Sequence, residues 1–215
     1  MMKVRIKGDA VTIEGYVNVV ERDSDVLCDE KGSFIERIKQ GAFMKSLRRR
    51  SKVAVLLNHD ATREVANTSD GSASIREDNV GLYCRAKVTD KDVVEKARGG
   101  KLSGWSFGFI SLRENRTNTE DDAVKHRDVI ELDLREVSIL DDTKVPAYPA
   151  NSISTRDTEE GEMLEIRCNL DECDVRDENA SPDGVADISQ KGETGDPVES
   201  NYQYRNRLDR ARIRK

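Results

Sequence analysis

The sequence predicts a β-rich α+β domain, a partly closed β-barrel with a few short helices, followed by a disordered C-terminal tail. Three observations carry that expectation. Apolar residues alternate with a period near two over several separate stretches, the mark of half-buried strands. Only two stretches have helical spacing, and both are short. Beyond residue 156, apolar residues thin out and Ser, Asp, Glu and Gly take over.

Val4, Ile6, Val11, Ile13, Val17 and Val19 alternate as a strand pair turning at Lys7-Gly8-Asp9. The polar ERDSDVLCDEKG that follows reads as a loop. In FIERIKQGAFMKSLRRR, Phe34, Ile38, Phe43 and Leu47 have helical spacing, so at least one short helix is expected, broken near Gly41. VAVLLNHD is a short, continuously apolar strand. SASIR and VGLYCRAKV form a hairpin turning at Glu77-Asp78-Asn79. DKDVVEKARGG is a brief helix that starts at Asp90 or Asp92 and is stopped by Gly99-Gly100. LSGWSFGFISLRE is a strand and NRTNTEDDAVKH a polar loop. RDVIELDLREVSIL is one bent strand or two, and Pro146 and Pro149 end the domain.

Charge divides the 215 residues at the same place. Residues 156–199 carry fifteen acidic and four basic side chains, and residues 200–215 six basic and one acidic. Against a net charge of −6, the first 155 residues are neutral. The expected organisation is a folded domain over residues 1–156 and an acidic, disordered tail over 157–215 that ends in a basic segment. Within the tail, MLEIRCNL is an apolar island, read as a transient helix or strand. No apolar run approaches the ~20 residues of a membrane span, and the N-terminus has no signal-peptide core. The four cysteines are too sparse for a disulfide scaffold, and none has a histidine in its local context, which argues against a cysteine nucleophile. Two distant histidines among scattered acids have no metal-ligand spacing, and no phosphate-binding glycine loop is present. The basic run Lys45 to Lys52 is read as a solvated helix end rather than a nucleic-acid site.

The chemistry lies in two segments, LLNHD and GWSFGF. A serine hydroxyl needs a base within hydrogen-bond reach, and the base needs a group to orient it. His59 ends an apolar strand that fixes its position. If GWSFGF alternates, Trp105 and Phe107 face one way, and Ser106 and Gly108 the other. Ser103, at the strand's start, is a weaker alternative. Glu136 stands in the otherwise apolar LREVSIL, where a carboxylate is costly to bury unless paired. Asp133, Asp60 and His126 remain open as the third group, and Arg113 and Arg135 as oxyanion partners beside backbone N–H groups.

In their order along the chain, EGYVNVV, QGAFMKSL, LLNHD, VGLYCRAKV, WSFGF, LREVSIL and PAYPANS resemble the prohead (procapsid) maturation proteases of tailed bacteriophages. That family is similar in fold to the herpesvirus assemblin proteases. The resemblance spans roughly residues 3 to 156. One departure is REVAN after the NHD motif, where the family often has a glycine. The resemblance implies a serine endopeptidase that uses His59 as general base, Ser106 as nucleophile and Glu136 as third member, with no cofactor. It implies work inside the viral procapsid in the host cytoplasm, on the major capsid protein or scaffold and on the enzyme itself. The portal is a further candidate partner, and a homo-oligomer is expected by analogy; no membrane or specific nucleic acid is. The rival reading is a non-catalytic assembly scaffold that keeps the protease fold, or a protease–scaffold fusion.

Overall fold

The computed structural model describes residues 1–29, 32–117, 125–144, 154–157, 163–170 and 173–179. In chain order its elements are β1 (Met2–Lys7), β2 (Ala10–Val19), β3 (Asp23–Asp29), β4 (Gly32–Ile38), α1 (Ala42–Arg49), β5 (Ala54–Leu57), β6 (Asp60–Asn67), β7 (Ala73–Glu77), β8 (Gly81–Val88), α2 (Lys91–Arg98), β9 (Leu102–Thr117), β10 (Lys125–Asp141), β11 (Ser154–Asp157), β12 (Met163–Leu170) and β13 (Cys173–Asp177). Among the described residues the fold is thus β-rich with two helices. Its strands form a five-stranded sheet, β13-β1-β2-β8-β7, and an eight-stranded sheet that follows β11-β12-β9-β10-β4-β3, with β5 attached to β10 and β6 to β5. The expected partly closed barrel gives way to these two sheets. Among the described residues, β11 and β3 end the larger path without meeting, so no barrel closes.

The alternating strands bury one face, as their period requires: Met2, Val4 and Ile6 of β1 and Ile13 and Val17 of β2 are fully buried. They join Cys84, Ala86 and Val88 of β8 and Trp105, Phe107 and Phe109 of β9 in one core. The helix α2 begins at Asp90, whose carboxylate accepts from the Val93 amide, and buries Val93, Val94 and Ala97.

Three expectations are corrected. The polar segment read as a loop contains β3, which among the described residues is an edge strand paired with β4. The short helix expected in FIERIKQGAFMKSLRRR is α1, which starts just past Gly41, but FIERI is strand: Phe34, Glu36 and Ile38 all point inward, and a buried charge in the middle disguised the period of two. The fold also continues past residue 156. MLEIRCNL is β12, paired with β9 and β11, and β13 lies parallel to β1. The compact unit therefore reaches Asn179. The expected tail beyond residue 180, and Pro146 and Pro149, lie outside the described residues. No helix among the described residues is long and apolar enough to cross a membrane.

The strand β10 organises the site. One edge pairs with β9 throughout. The other is shared: β4 takes Lys125 to Val129, and β5 takes Glu136 to Ile139. In the gap between them α1 satisfies the backbone. Ser46 Oγ accepts from the Leu134 amide at 2.7 Å, and Arg49 donates to the Leu132 carbonyl at 2.9 Å. The register shifts between Leu134 and Glu136. This bulge at Arg135 reverses which residues face the core. Leu132 and Leu134 are buried before it, Val137 and Ile139 after it. Glu136 and Ser138 are thereby turned to the opposite face.

Candidate active site

His59 sits in a two-residue hairpin turn. Leu57 of β5 pairs with Asp60 of β6, and Asn58 and His59 between them have φ of 56° and 59°. Positive φ at both positions defines a type I′ turn; asparagine adopts it readily, histidine at some cost. The turn is pinned to β10 by three hydrogen bonds. The Asn58 amide donates to the Ile139 carbonyl at 2.9 Å, and the Asp141 amide to Asn58 Oδ1 at 3.1 Å. The His59 amide donates to Ser138 Oγ at 3.1 Å. A strained turn held from outside is how a fold fixes an imidazole.

The imidazole Nδ1 lies 2.6 Å from Glu136 Oε1, and Ser138 Oγ donates to the other carboxylate oxygen at 2.7 Å. Glu136 is 7% exposed, so burial strengthens the contact. Gly108 stands opposite Glu136 in the β9–β10 ladder. A Cβ there would approach Glu136 Oε1 to 2.7 Å, so only glycine lets the carboxylate reach across to His59.

Ser106 is the next site-facing residue of β9, opposite Ser138 on one side and Cys168 of β12 on the other. Its side chain is completely buried. The hydroxyl donates to the Arg167 carbonyl at 2.7 Å, and its oxygen lies 3.4 Å from Cys168 Sγ. The imidazole lies beside the same thiol. Burial disfavours the His59 charge, but Cys168 and Glu136 outweigh it and carry the imidazole's pKa up to about 9. Burial likewise opposes the Cys168 thiolate, while His59 and Ser106 hold its pKa below the ordinary thiol value.

The alternatives for the third group are elsewhere. Asp133 is held by Arg50 through contacts of 2.6 and 2.7 Å. Asp60 accepts from the amide and hydroxyl of Thr62. His126 pairs with Thr117, twelve residues of β10 before Ser138 and so about 40 Å along the strand. Ser103 donates to the Asp141 carbonyl. Arg113 is exposed beyond the site end of β9, and Arg135 faces Asp133 at 3.1 Å, so neither is set at Ser106. Beside His59 lies an open hollow of about 460 Å³, lined by Asn58, Asp60, Arg63, Lys96 and Asp141 among others.

Two participants escaped the sequence reading. Ser138, the S of EVS, orients both Glu136 and the His59 backbone; its inward direction depends on the bulge, which leaves no local signal. Cys168 has no histidine near it in sequence and meets His59 only through strand pairing.

A hydroxyl, an imidazole and a carboxylate gathered on one face of a sheet are the parts of a serine hydrolase site. A sequence profile described as caudovirus prohead serine protease matches residues 1–165, and the chain belongs to that family. No curated protein and no solved structure matches the chain.

Proposed function

We propose that this chain is the serine endopeptidase of phage capsid maturation, with Ser106 as nucleophile, His59 as general base and Glu136 as orienting carboxylate. The observation that carries the reading is the 2.6 Å contact between His59 and a glutamate that shares its face with Ser106. With Nδ1 donating to Glu136, the other ring nitrogen takes the Ser106 proton as Oγ bonds to a peptide carbonyl carbon. The imidazolium then protonates the departing amine as the C–N bond breaks. Water, deprotonated by the same imidazole, resolves the acyl-enzyme. Backbone amides serve the oxyanion, and no cofactor enters the reaction.

The substrates are the scaffold, or the scaffolding segment of the major capsid protein, and the enzyme itself, inside the procapsid in the host cytoplasm. The portal is a further candidate partner, and a homo-oligomeric state completes the proposal. The acidic residues beyond 180 suit a removable assembly tag. The test is cleavage of coat and scaffold protein, followed by intact mass for the wild type, Ser106→Ala and His59→Ala. Fragments from the wild type alone support the reading. Full-length substrate in all three, with capsids still assembling, favours the non-catalytic scaffold.

The contact between the His59 and Cys168 side chains favours one second reading, in which Cys168 is the nucleophile. Cys168→Ala separates the two: cleavage persists if Ser106 is the nucleophile and stops if Cys168 is.

A further inference from the structure

We infer that β12 occupies the enzyme's substrate groove, and that the Arg167–Cys168 bond is seated there as the bond to be cut. The preferred substrate is therefore an extended peptide with a basic residue before the cleaved bond and an acidic residue two positions earlier. The inference rests on Ser106 being the nucleophile.

Three features meet at this one peptide bond. The Arg167 carbonyl oxygen is the acceptor of the Ser106 hydroxyl at 2.7 Å, which sets the carbonyl group against the nucleophile. The side chain of Cys168, the residue on the amine side of the bond, lies beside His59, the proposed general acid. The Arg167 side chain, 9% exposed, enters an acidic pocket. Its Nε and Nη2 each donate to Glu36 at 2.8 Å, and its guanidinium stacks over the Phe109 ring. Glu36 is itself 4% exposed.

The segment is bound as peptides bind by adding a strand: ladder hydrogen bonds hold the backbone and pockets take alternate side chains. From Glu165 to Leu170, β12 runs antiparallel to β9. Glu165, two residues before Arg167, meets Arg127 through contacts of 2.5 and 2.6 Å. Glu36 and Arg127, on β4 and β10, are thus charge-matched receptors for two alternate side chains of one strand. Ile166 between them is buried on the other face, and Leu164 reaches Gly108.

The cut is balanced without a further reactant. Ser106 Oγ bonds to the Arg167 carbonyl carbon, and its proton passes through His59 to the Cys168 nitrogen as the C–N bond breaks. Water then releases the Arg167 carboxylate. The products are residues 1–167 and a fragment beginning at Cys168. Until β12 leaves, it also excludes other substrates.

The test offers the full chain the peptide MLEIRCNLDE and versions with Lys, Gln or Glu for its arginine and with Lys for the glutamate preceding the isoleucine. A mixed peptide library serves as a control for activity. The expected result is cleavage between Arg and Cys, with Arg and Lys preferred over Gln by at least about tenfold in kcat/KM and Glu not cut. Replacing the peptide's glutamate by Lys lowers kcat/KM several-fold. Arg167→Gln in the full chain loosens β12 and raises peptide turnover several-fold. Ser106-dependent cleavage of the library with no preference for a basic residue overturns the inference and leaves the protease intact. Lower peptide turnover in Arg167→Gln also overturns it, since that is what a purely structural β12 gives. A library left whole by the wild type, by Ser106→Ala and also by Arg167→Gln, whose loosened β12 no longer fills the groove, removes the protease reading and this inference together.

Discussion

The two halves of β10 carry two buried charge clusters, and they are built to opposite ends. Before the bulge, Arg127 lies among Glu36, Glu114 and Glu165, with Arg167 joining from β12. After it, Glu136 holds a single histidine. In the first cluster every charge is locked. Burial opposes the Arg127 charge, but its three carboxylates hold its pKa above the ordinary guanidinium value. Glu114 is pulled the other way: Arg116 and Arg127 overcome burial and bring its pKa to about 2. Arg127 and Glu114 therefore keep their charges near neutrality. In the second cluster His59 titrates at about 9, close enough to neutrality to exchange a proton in a reaction. In the proposed mechanism one strand thus separates recognition and anchoring from proton transfer, and the bulge at Arg135 is the divider.

The comparison can be broken most sharply by removing the proposed nucleophile. Ser106→Ala should lower peptide cleavage by about 10⁴-fold or more while leaving the urea midpoint nearly unchanged. Next, Arg127→Met should cost about 3–5 kcal/mol of stability, because it leaves buried carboxylates unpaired. Glu136→Gln should instead lower kcat by about 10³-fold at far smaller cost in stability. Denaturant unfolding and kinetics on both variants would show whether the halves divide as described. Gly108→Ala pushes a methyl against Glu136 and should cost about 10²-fold in kcat/KM by displacing the carboxylate from His59.

The pH response sharpens the contrast further. The His59 pKa is raised on folding, so its stabilising contribution is fully present below about pH 6.5 and is lost as pH rises through about 9. Activity runs the other way, because the base must be neutral. Cleavage should climb across the same interval, and Cys168→Ala should move that limb to lower pH by removing one group that favours the imidazolium. The smallest effect belongs to the turn: Asn58→Ala should cost about 1–2 kcal/mol in thermal or urea unfolding, through the αL backbone and the lost hydrogen bond to Asp141.

Much of the scaffold was legible because its elements speak locally. The β1–β2 and β7–β8 hairpins follow from alternation and turn residues, and α2 from the Asp90 cap and the Gly99-Gly100 stop. The face of β9 that carries Ser106 and Gly108 could be read from the Trp105-Phe107-Phe109 period alone. The misreadings arose where distant parts of the chain decide. Glu36 is inward because Arg127 and Arg167 await it, so FIERI did not look like an alternating strand. The polar β3 is tolerated as an edge, with one neighbour to satisfy. Composition placed the end of the fold at residue 156, yet β12 is retained by the free edge of β9 and by Glu36 and Arg127, none of which its own composition discloses. The His59–Glu136 pairing was one of several possibilities on spacing; the type I′ turn and the bulge, both products of tertiary pairing, select it in space.

The most direct measurement of the central claim is covalent. The full chain would be treated with a peptidyl phosphonate bearing an arginine-like side chain, a reagent that requires an activated nucleophile, and the adduct mapped by peptide mass. The account predicts a single adduct on Ser106, strongly reduced in His59→Ala and absent in Ser106→Ala. An adduct on Cys168, or Ser106 labelling undiminished by the loss of His59, would contradict it.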